Sequence, residues 1–361
     1  MSILVINPGS TSTKVALYKG DDTLAAEELQ HSREKMAGFR RVADQFDYRM
    51  RLVAEFLAKT GTDPKRIRAV VARGGLLRPL EGGVYEVSDA MVDDLQSARY
   101  GEHACNLGGV LALPLARHWG VPAYVVDPVV TDEMMDKARL TGLPGLFRRS
   151  IFHALNQRGV ARMVAGRLGV EYPHSNFIVC HMGGGVSIGA HRRGRVVDVI
   201  NALDGEGPFT PERTGGLPLV PILDMLHNGE RDYAELRTTI LSQGGLVAHL
   251  GINDPRLLLA RVDQGDEHAA LVFRAMAYGI ARYIVSMAPA LTNDEGGLDL
   301  AAVVLTGGLA RSVPLVEEIA RQVSFLGPVE VVPGEVEMAA LAQGAVRALN
   351  GTEPVRTYRA D

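Results

Sequence analysis

The chain has 361 residues, of which 47% are hydrophobic and 22% charged, and its formal net charge is −4. This composition is ordinary for a globular protein with a buried core, and the length suffices for two domains. No block of like charges stands out, which argues against a nucleic-acid partner. No charged leader precedes an apolar stretch and no apolar run approaches membrane-spanning length, so we expect a soluble cytoplasmic protein without a membrane partner.

The N-terminal segment predicts two buried strands joined by a tight turn. Apolar runs at residues 3–6 and 15–18 flank the sequence NPGSTSTK, residues 7–14, which we call the first glycine turn. Its four hydroxyl side chains and its lysine add nothing to packing. Glycine, hydroxyls and an ammonium group instead suit a loop that binds phosphate. A Ser/Thr-rich β-turn without a ligand is the alternative.

Short apolar strands then alternate with amphipathic helical stretches, which predicts an α/β protein. The strands are expected at residues 66–71 and 121–126, and the helices at 50–59 and 108–118. Cys105 and Cys180 have no Cys or His partner at metal-ligand spacing. We therefore expect both to be buried, reduced thiols, as is usual in the cytoplasm.

The opening pattern recurs in the middle of the chain. Strands predicted at 177–181 and 186–190 flank MGGG, residues 182–185, the second glycine turn, and a third strand follows at 196–200. This repetition indicates a duplicated α/β domain. We expect one domain to comprise residues 1–155 plus about 339–361, the other residues 156–338, with a hinge near 150–159.

The C-terminal part contains a predicted core helix at 271–289 and a buried strand at 301–305. The strand runs into TGG, residues 306–308, the third glycine turn. Three such turns in this order are expected where a nucleotide is bound between two halves of a chain. The first two would bind phosphates through backbone N–H groups, and the third would let backbone lie against the adenosine.

Common alternatives are absent from the sequence. There is no Gly-Lys-Ser/Thr of a Walker A loop and no Gly-x-Gly-x-x-Gly that opens a helix after a strand. Residues 185–189 match the Gly-x-Ser-x-Gly motif of α/β hydrolases, but that motif requires a helix directly after the serine. Here a turn and another strand are predicted, which argues against a hydrolase.

The three turns resemble those of the superfamily of acetate and sugar kinases, heat-shock ATPases and actin, and the chain is similar to the acetokinase family over almost its whole length. The motifs that carry this resemblance are NPGSTSTK (7–14), ARGGLL (72–77), HACNL (103–107), VDP (126–128), FH (152–153), FIVCHMGGGVS (177–187), GPFTPERTG (207–215) and PGEVEM (333–338). The implied fold is two duplicated ribonuclease H-like domains, the actin-like ATPase fold, with a nucleotide cleft between them.

The resemblance also implies site residues. Those expected to act on the transferring phosphoryl group are Arg213, His153, Arg73 and Asn7. Those expected to bind the nucleotide and its phosphates are Ser10, Ser12, Lys14, His181, Gly183, Gly184, Gly185, Thr306, Gly307 and Gly308. Walls of an acyl pocket are expected at Ala72, Phe152 and Pro211. Mg²⁺ is expected as a cofactor at Asp127 and Glu337, with Glu335 as the alternative to Glu337.

Some of these residues have simpler explanations. Asp127 suits a helix or turn cap, His153 a buried core histidine, and Glu337 an acid in the first turn of a helix. Acetate kinases carry an arginine three residues before His-Gly-Gly, whereas Arg73 directly precedes two glycines. Whether Arg73 takes that role stays open. Arg213, between prolines and glycines without apolar periodicity, is harder to explain structurally.

The implied reaction is reversible phosphoryl transfer between ATP and a short carboxylic acid, with butyrate as the expected acid. Isobutyrate, propionate or acetate are alternatives, as is an actin- or chaperone-like ATPase without a small acceptor. A carboxylic acid with a pKa of about 4.3 is already ionised at pH 7, so its oxygen needs no general base. Mg²⁺, the arginines and His153 would offset the repulsion between two anions. We also expect a homo-oligomer, at least a dimer.

Overall fold

The structure, a computed structural model, describes residues 2–201 and 203–360. These residues form two compact units. The first comprises the chain up to Asp132, Ala154–Gly159 and the chain from Val336 onward, and the second comprises Glu133–His153 and Val160–Glu335.

The segment 133–153 belongs to the second unit, although the predicted limits assign it to the first half of the chain. Its contacts explain this. The Glu133 carboxylate accepts a hydrogen bond from the Val196 N–H at 2.7 Å, and the Met135 N–H donates to the Val197 carbonyl at 2.9 Å. As independent domains, the limits 1–155 with 339–361 and 156–338 stay a prediction.

The structure contains both helices and strands throughout. The strands are β1 (Ser2–Pro8), β2 (Ser12–Lys19), β3 (Asp22–Gln30), β4 (Ile67–Arg73), β5 (Val84–Glu86), β6 (Ala123–Val126), β7 (Asn176–Met182), β8 (Val186–Arg192), β9 (Arg195–Ile200), β10 (Ala302–Gly307), β11 (Val329–Pro333) and β12 (Val355–Thr357). The α-helices are α1 (Arg33–Ala37), α2 (Phe46–Lys59), α3 (Asp89–Ser97), α4 (Leu107–Trp119), α5 (Asp136–Arg139), α6 (Ala154–Leu168), α7 (Leu219–His227), α8 (Tyr233–Ser242), α9 (Gly245–Leu250), α10 (Pro255–Asp263), α11 (Glu267–Val285), α12 (Val313–Val323) and α13 (Glu337–Leu349).

The first unit is built on one sheet with the strand order β12-β5-β6-β4-β1-β2-β3. Strands β1, β2 and β3 are antiparallel neighbours, whereas β4 runs parallel to both β1 and β6. Alternate residues of β1 enter different core clusters: Leu4 and Ile6 enter one with α4, Ile3 and Val5 the other with α13. Because both faces of β1 are buried, the strand is an unbroken apolar run, as its sequence predicts.

The second unit repeats this arrangement on a sheet with the order β11-β10-β7-β8-β9. Strands β7, β8 and β9 form antiparallel pairs, and β10 runs parallel to β7 and β11. The predicted repetition of strand, glycine turn, strand, turn and strand is confirmed. Cys180 is fully buried in β7, and Cys105 of the first unit is also buried, so burial raises the pKa of both thiols, that of Cys105 to about 11.

Helix α11 differs from the expectation that no apolar run approaches membrane-spanning length. Together with the following turn it forms a helical segment of 25 residues, 267–291, that by length and composition alone is apolar enough to cross a membrane. One side of α11 lies in the core of the second unit, through residues that include Val272, Met276, Ile280 and Ile284. A buried core helix satisfies the same criteria of length and composition, and packing explains this segment.

Candidate active site

The first glycine turn is a narrow connection between β1 and β2. The Gly9 N–H donates to the Ser12 carbonyl at 2.8 Å, which closes the turn. Ser10 is exposed at its tip, whereas Ser12 lies at the edge of the buried strand and its hydroxyl donates to the exposed Glu28 carboxylate at 2.8 Å. Lys14 lies opposite Glu28 in the β2–β3 register. The turn therefore exposes the Ser10 hydroxyl at its tip, and Ser12 and Lys14, on β2, lie beside Glu28.

The Glu337 carboxylate in the first unit accepts hydrogen bonds from Asn7 and Arg73. The Asn7 Nδ2 group donates to Glu337 Oε2 at 2.8 Å, and Arg73 Nη1 donates to the same oxygen at 3.1 Å. Glu337 is the first residue of α13 and is 8% exposed. Glu335, by contrast, is exposed and lies in the second unit. The structure thus brings three of the predicted residues together and joins Glu337 to Asn7.

Asp127 is held inside the first unit. It follows β6 with a φ of +40°, and its Oδ1 accepts from the Gly83 N–H at 2.8 Å and pairs with Arg158 Nε at 2.7 Å. The side chain of Asp127 is 1% exposed and that of Arg158 is 5% exposed. Arg158, on the first half of α6, is a partner that the motif analysis missed.

Ala72 is a core residue in this structure. It has no exposed surface and belongs to the same core cluster as Leu4 and Ile6. A Cβ atom built on Gly108 of α4 would lie 3.3 Å from the Ala72 Cβ, so this helix packs closely against β4. Ala72 as a wall of an acyl pocket stays a prediction, and in this structure its side chain lies in the core.

In the second unit two histidines stack beside the second glycine turn. The rings of His153 and His181 are 3.8 Å apart between centroids, with an interplanar angle of 15°. His153 Nδ1 lies 2.8 Å from the Ser187 hydroxyl, and Ser187 is the register partner of His181 across β7 and β8. Ser187 is the serine of the Gly-x-Ser-x-Gly match. Counting residues outward from the second glycine turn along the two strands would have placed Ser187 opposite His181.

Arg213 lies on a turn that is tied to the second glycine turn. The Thr210 hydroxyl donates to the Gly184 carbonyl at 2.8 Å and accepts from the Arg213 N–H at 3.0 Å. The Arg213 guanidinium, half-buried, donates from Nε to the Leu241 carbonyl at 3.3 Å, and burial lowers its pKa. Phe152 and Pro211 are both buried and directly precede His153 and Glu212 in the chain. Thr210 was not predicted from the sequence.

The third glycine turn lies at the same edge of the sheet as the second. Thr306 of β10 is the parallel register partner of His181, so both strands end toward the same side. Gly307 has a φ of +90°, and a Cβ atom there would overlap the Met182 carbonyl, so only glycine fits. Gly308 has open space around its Cα. A flat ligand such as an adenine ring could lie against backbone at this position.

The described residues contain no group of three or more His, Cys, Asp or Glu side chains arranged to hold a metal ion. Mg²⁺ in phosphoryl-transfer sites is usually bound by one or two carboxylates, water and substrate phosphates, which needs no such group. Both hydrogen bonds to Glu337 end on Oε2. Its Oε1 is therefore the oxygen best suited to accept a metal-bound water, whereas Asp127 Oδ1 is already engaged twice.

Comparison with known proteins agrees with this description. The chain resembles a crystal structure of acetate kinase from Porphyromonas gingivalis with a TM-score of 0.76 and 20% sequence identity, over 96% of this chain and 99% of that one. The two repeated sheets and their glycine turns thus define the actin-like ATPase fold.

The family follows from sequence. Residues 142–345 match the acetokinase family. Over 99% of both chains, this protein is 49% identical to a "Probable butyrate kinase" of Maridesulfovibrio salexigens, and it is also 49% identical to one of Coprothermobacter proteolyticus. The chain belongs to the acetokinase family.

Proposed function

We propose that this protein is a butyrate kinase, an enzyme that interconverts butyrate and ATP with butyryl phosphate and ADP. The family and the names of the two full-length relatives support this proposal. The alternatives are a kinase for another short or branched acid, such as isobutyrate, propionate or acetate, and an ATPase without a small acceptor.

One structural observation supports an acid rather than an alcohol as the acceptor. Each of the two carboxylates predicted for the site is paired with an arginine: Asp127 with Arg158 at 2.7 Å and Glu337 with Arg73 at 3.1 Å. In each pair a carboxylate oxygen is already held by a guanidinium, so neither acid is the unengaged carboxylate that a general base requires. An alcohol acceptor needs such a base, whereas a carboxylic acid is already ionised at pH 7. The arrangement therefore suits an acceptor that attacks without losing a proton.

The remaining residues would stabilise and orient the reacting groups. The first and second glycine turns would bind the phosphates through backbone N–H groups, with Ser10, Ser12 and Lys14 adding hydroxyls and charge. Arg213 and His153 would contact the transferring phosphoryl group and offset the charge that develops on it. The third glycine turn would contact adenosine. Phe152 and Pro211 remain the proposed walls of the acyl pocket.

Mg²⁺ is the proposed cofactor. When bound with ATP it would neutralise charge on the phosphates, as in other phosphoryl-transfer enzymes. Glu337 would hold Mg²⁺ through water. Asp127, paired with Arg158, would contribute its negative charge without contacting the metal. We place the reaction in the cytoplasm, with no nucleic-acid or membrane partner.

We further infer a homo-oligomer, at least a dimer. Helix α7 has no buried residue and exposes Leu219, Val220 and Leu223 at 71%, 65% and 52%. Such a row of exposed apolar side chains is common at subunit interfaces. Light scattering on the purified protein would give the mass in solution, and a mass of one chain at micromolar concentration would contradict this inference.

The acceptor is tested by trapping acyl phosphate with hydroxylamine while ADP is measured in the same reaction. We expect equal amounts of hydroxamate and ADP, with butyrate giving the highest kcat/KM in a panel of acetate, propionate, butyrate and isobutyrate. ADP formation that is independent of any acid would favour the ATPase alternative. A higher kcat/KM for a different acid would assign that acid as the substrate.

A further inference from the structure

Helix α2 carries an arginine that is buried beside the first glycine turn. Arg49 is 0% exposed, and it is among the largest fully buried side chains of the described residues. Its guanidinium donates to the Gln45 amide oxygen from Nε at 3.0 Å and from Nη2 at 2.8 Å. Nη2 also lies 4.0 Å from the Met36 sulfur. These acceptors are all uncharged.

The remaining bonds of Arg49 end on the turn itself. Nη1 donates to the Ser12 carbonyl at 3.2 Å and to the Thr13 hydroxyl at 2.8 Å. The Ser12 carbonyl is the same oxygen that accepts the Gly9 N–H at 2.8 Å to close the turn. Arg49 thus shares an acceptor with the backbone bond that sets the shape of the turn.

Thr13 continues the network in a defined direction. Because Arg49 has only donors, the Thr13 hydroxyl accepts from it and has its own proton for His31 Nε2, 2.9 Å away. His31 Nδ1 lies 3.2 Å from the Tyr48 hydroxyl. Burial and the Arg49 cation lower the pKa of His31 to about 4, so the ring is neutral at pH 7 and can accept this bond.

Within the described residues no carboxylate forms an ion pair with Arg49. Burial lowers its pKa to about 10, which leaves the side chain charged at pH 7. A buried cation without a paired anion is costly, and an anion bound nearby would relieve that cost. The exposed tip of the same turn, at Ser10 and Thr11, is a place where such an anion could bind.

We propose that Arg49 is a positioning residue for the nucleotide phosphates: it holds the first glycine turn in shape through Ser12 and Thr13 and supplies the buried positive charge that favours an anion on the turn. The inference rests on the proposed function of residues 7–14 in phosphate binding. Arg49 acts through Ser12 and Thr13 and through its field, without contact with the reacting atoms.

The substitution Gln45→Glu separates charge from shape. Glutamate keeps the acceptor that Arg49 uses and nearly the same volume, but it neutralises the buried cation. We expect the Kd and KM for Mg·ATP to rise on the order of tenfold, with a smaller change in kcat and no loss of thermal stability. Gln96→Glu, at an exposed position of the same unit, makes the same change in net charge and is the control.

Direct titration measures the binding of Mg·ATP without turnover, so its result does not depend on which reaction the enzyme catalyses. If Gln45→Glu binds Mg·ATP like the wild type and like Gln96→Glu, the inference is overturned, whatever acid the enzyme uses. If binding weakens while the wild type forms no acyl phosphate, the inference holds and the proposed function fails. Should Gln45→Glu not fold, Arg49→Lys and Arg49→Gln give a second comparison. Arg49→Lys must then bind Mg·ATP more tightly than Arg49→Gln does. An equal loss of Mg·ATP affinity in both variants overturns the inference.

Discussion

Substitution of Glu337 by glutamine tests the proposed metal site most closely. The change removes one negative charge at almost constant volume and leaves an amide oxygen that can still accept from Asn7. It weakens the bond from Arg73, which is 3.1 Å long with side chains 29% and 10% exposed. A charge-assisted hydrogen bond contributes about 1.5–3 kcal/mol when buried, and partial exposure reduces this to about 1 kcal/mol. For a chain of this size we expect the Tm to fall by roughly 2 °C.

The larger effect is expected on the metal requirement. If Glu337 Oε1 holds Mg²⁺ through water, the concentration of free Mg²⁺ needed for half-maximal rate should rise on the order of tenfold. The assay is a titration of initial rate with Mg²⁺ at saturating ATP and butyrate. Glu335→Gln, two residues away and exposed, is the matched control and should titrate like the wild type. An unchanged Mg²⁺ requirement in Glu337→Gln, or a raised one in Glu335→Gln alone, would refute the assignment.

Three further predictions concern single side chains. Arg213→Lys should lower kcat by about 100-fold or more in stopped assays, because an ammonium group cannot replace a planar fork of donors, and near-normal kcat would remove Arg213 from the site. Ala72→Val should overpack the core beneath α4 and lower the free energy of unfolding by about 1–3 kcal/mol in denaturant titrations. It should lower kcat/KM for butyrate and for acetate alike. A fall in kcat/KM for butyrate alone, at unchanged stability, would support Ala72 as a wall of the acyl pocket. Because the pKa of His31 is about 4 in the folded protein against an ordinary value of 6.5, the unfolded chain binds more protons between these values. The free energy of unfolding should therefore fall as the pH is lowered from 6.5 to 4, and this fall should be smaller in His31→Gln; equal pH dependence in both proteins would contradict the burial of a neutral His31.

The fold could be predicted from the sequence because its strands are buried on both faces and its turns are rich in glycine. The runs at 3–6 and 177–181 needed no tertiary information to be read as strands, and their repetition indicated the duplication. The segment 133–153 groups with the second unit through contacts with β9 that are long-range, and nothing in its local sequence indicates them.

Candidate site residues could be selected from the sequence where they lie in continuous motifs. Asn7 lies near the end of β1, Asp127 directly follows β6 and Glu337 begins α13, so the local sequence pattern locates all three. Arg49 and Arg158 were missed because each is an arginine within an ordinary helical sequence, and only tertiary packing shows that it is buried beside the first glycine turn or Asp127.

Partner choice among carboxylates likewise depends on packing. The pairing of Asp127 and Glu337 with separate arginines is a property of the folded chain, and it carries the argument against a general base. Sequence motifs identify the two acids but do not indicate which side chain each acid pairs with. These two pairings are the structural support for the proposed carboxylic acid acceptor, beside the similarity to known relatives.

A butyrate kinase requires that a butyrate oxygen attack the γ-phosphorus of ATP. Butyrate labelled with ¹⁸O at both carboxylate oxygens tests it directly, with mass spectrometry of the intact butyryl phosphate formed by the purified enzyme. Attack by the carboxylate places one labelled oxygen in the carbonyl group and the other in the bridge to phosphorus, so we predict that the product retains both labels. A product that has lost one label, or ADP without any labelled acyl phosphate, would contradict the claim.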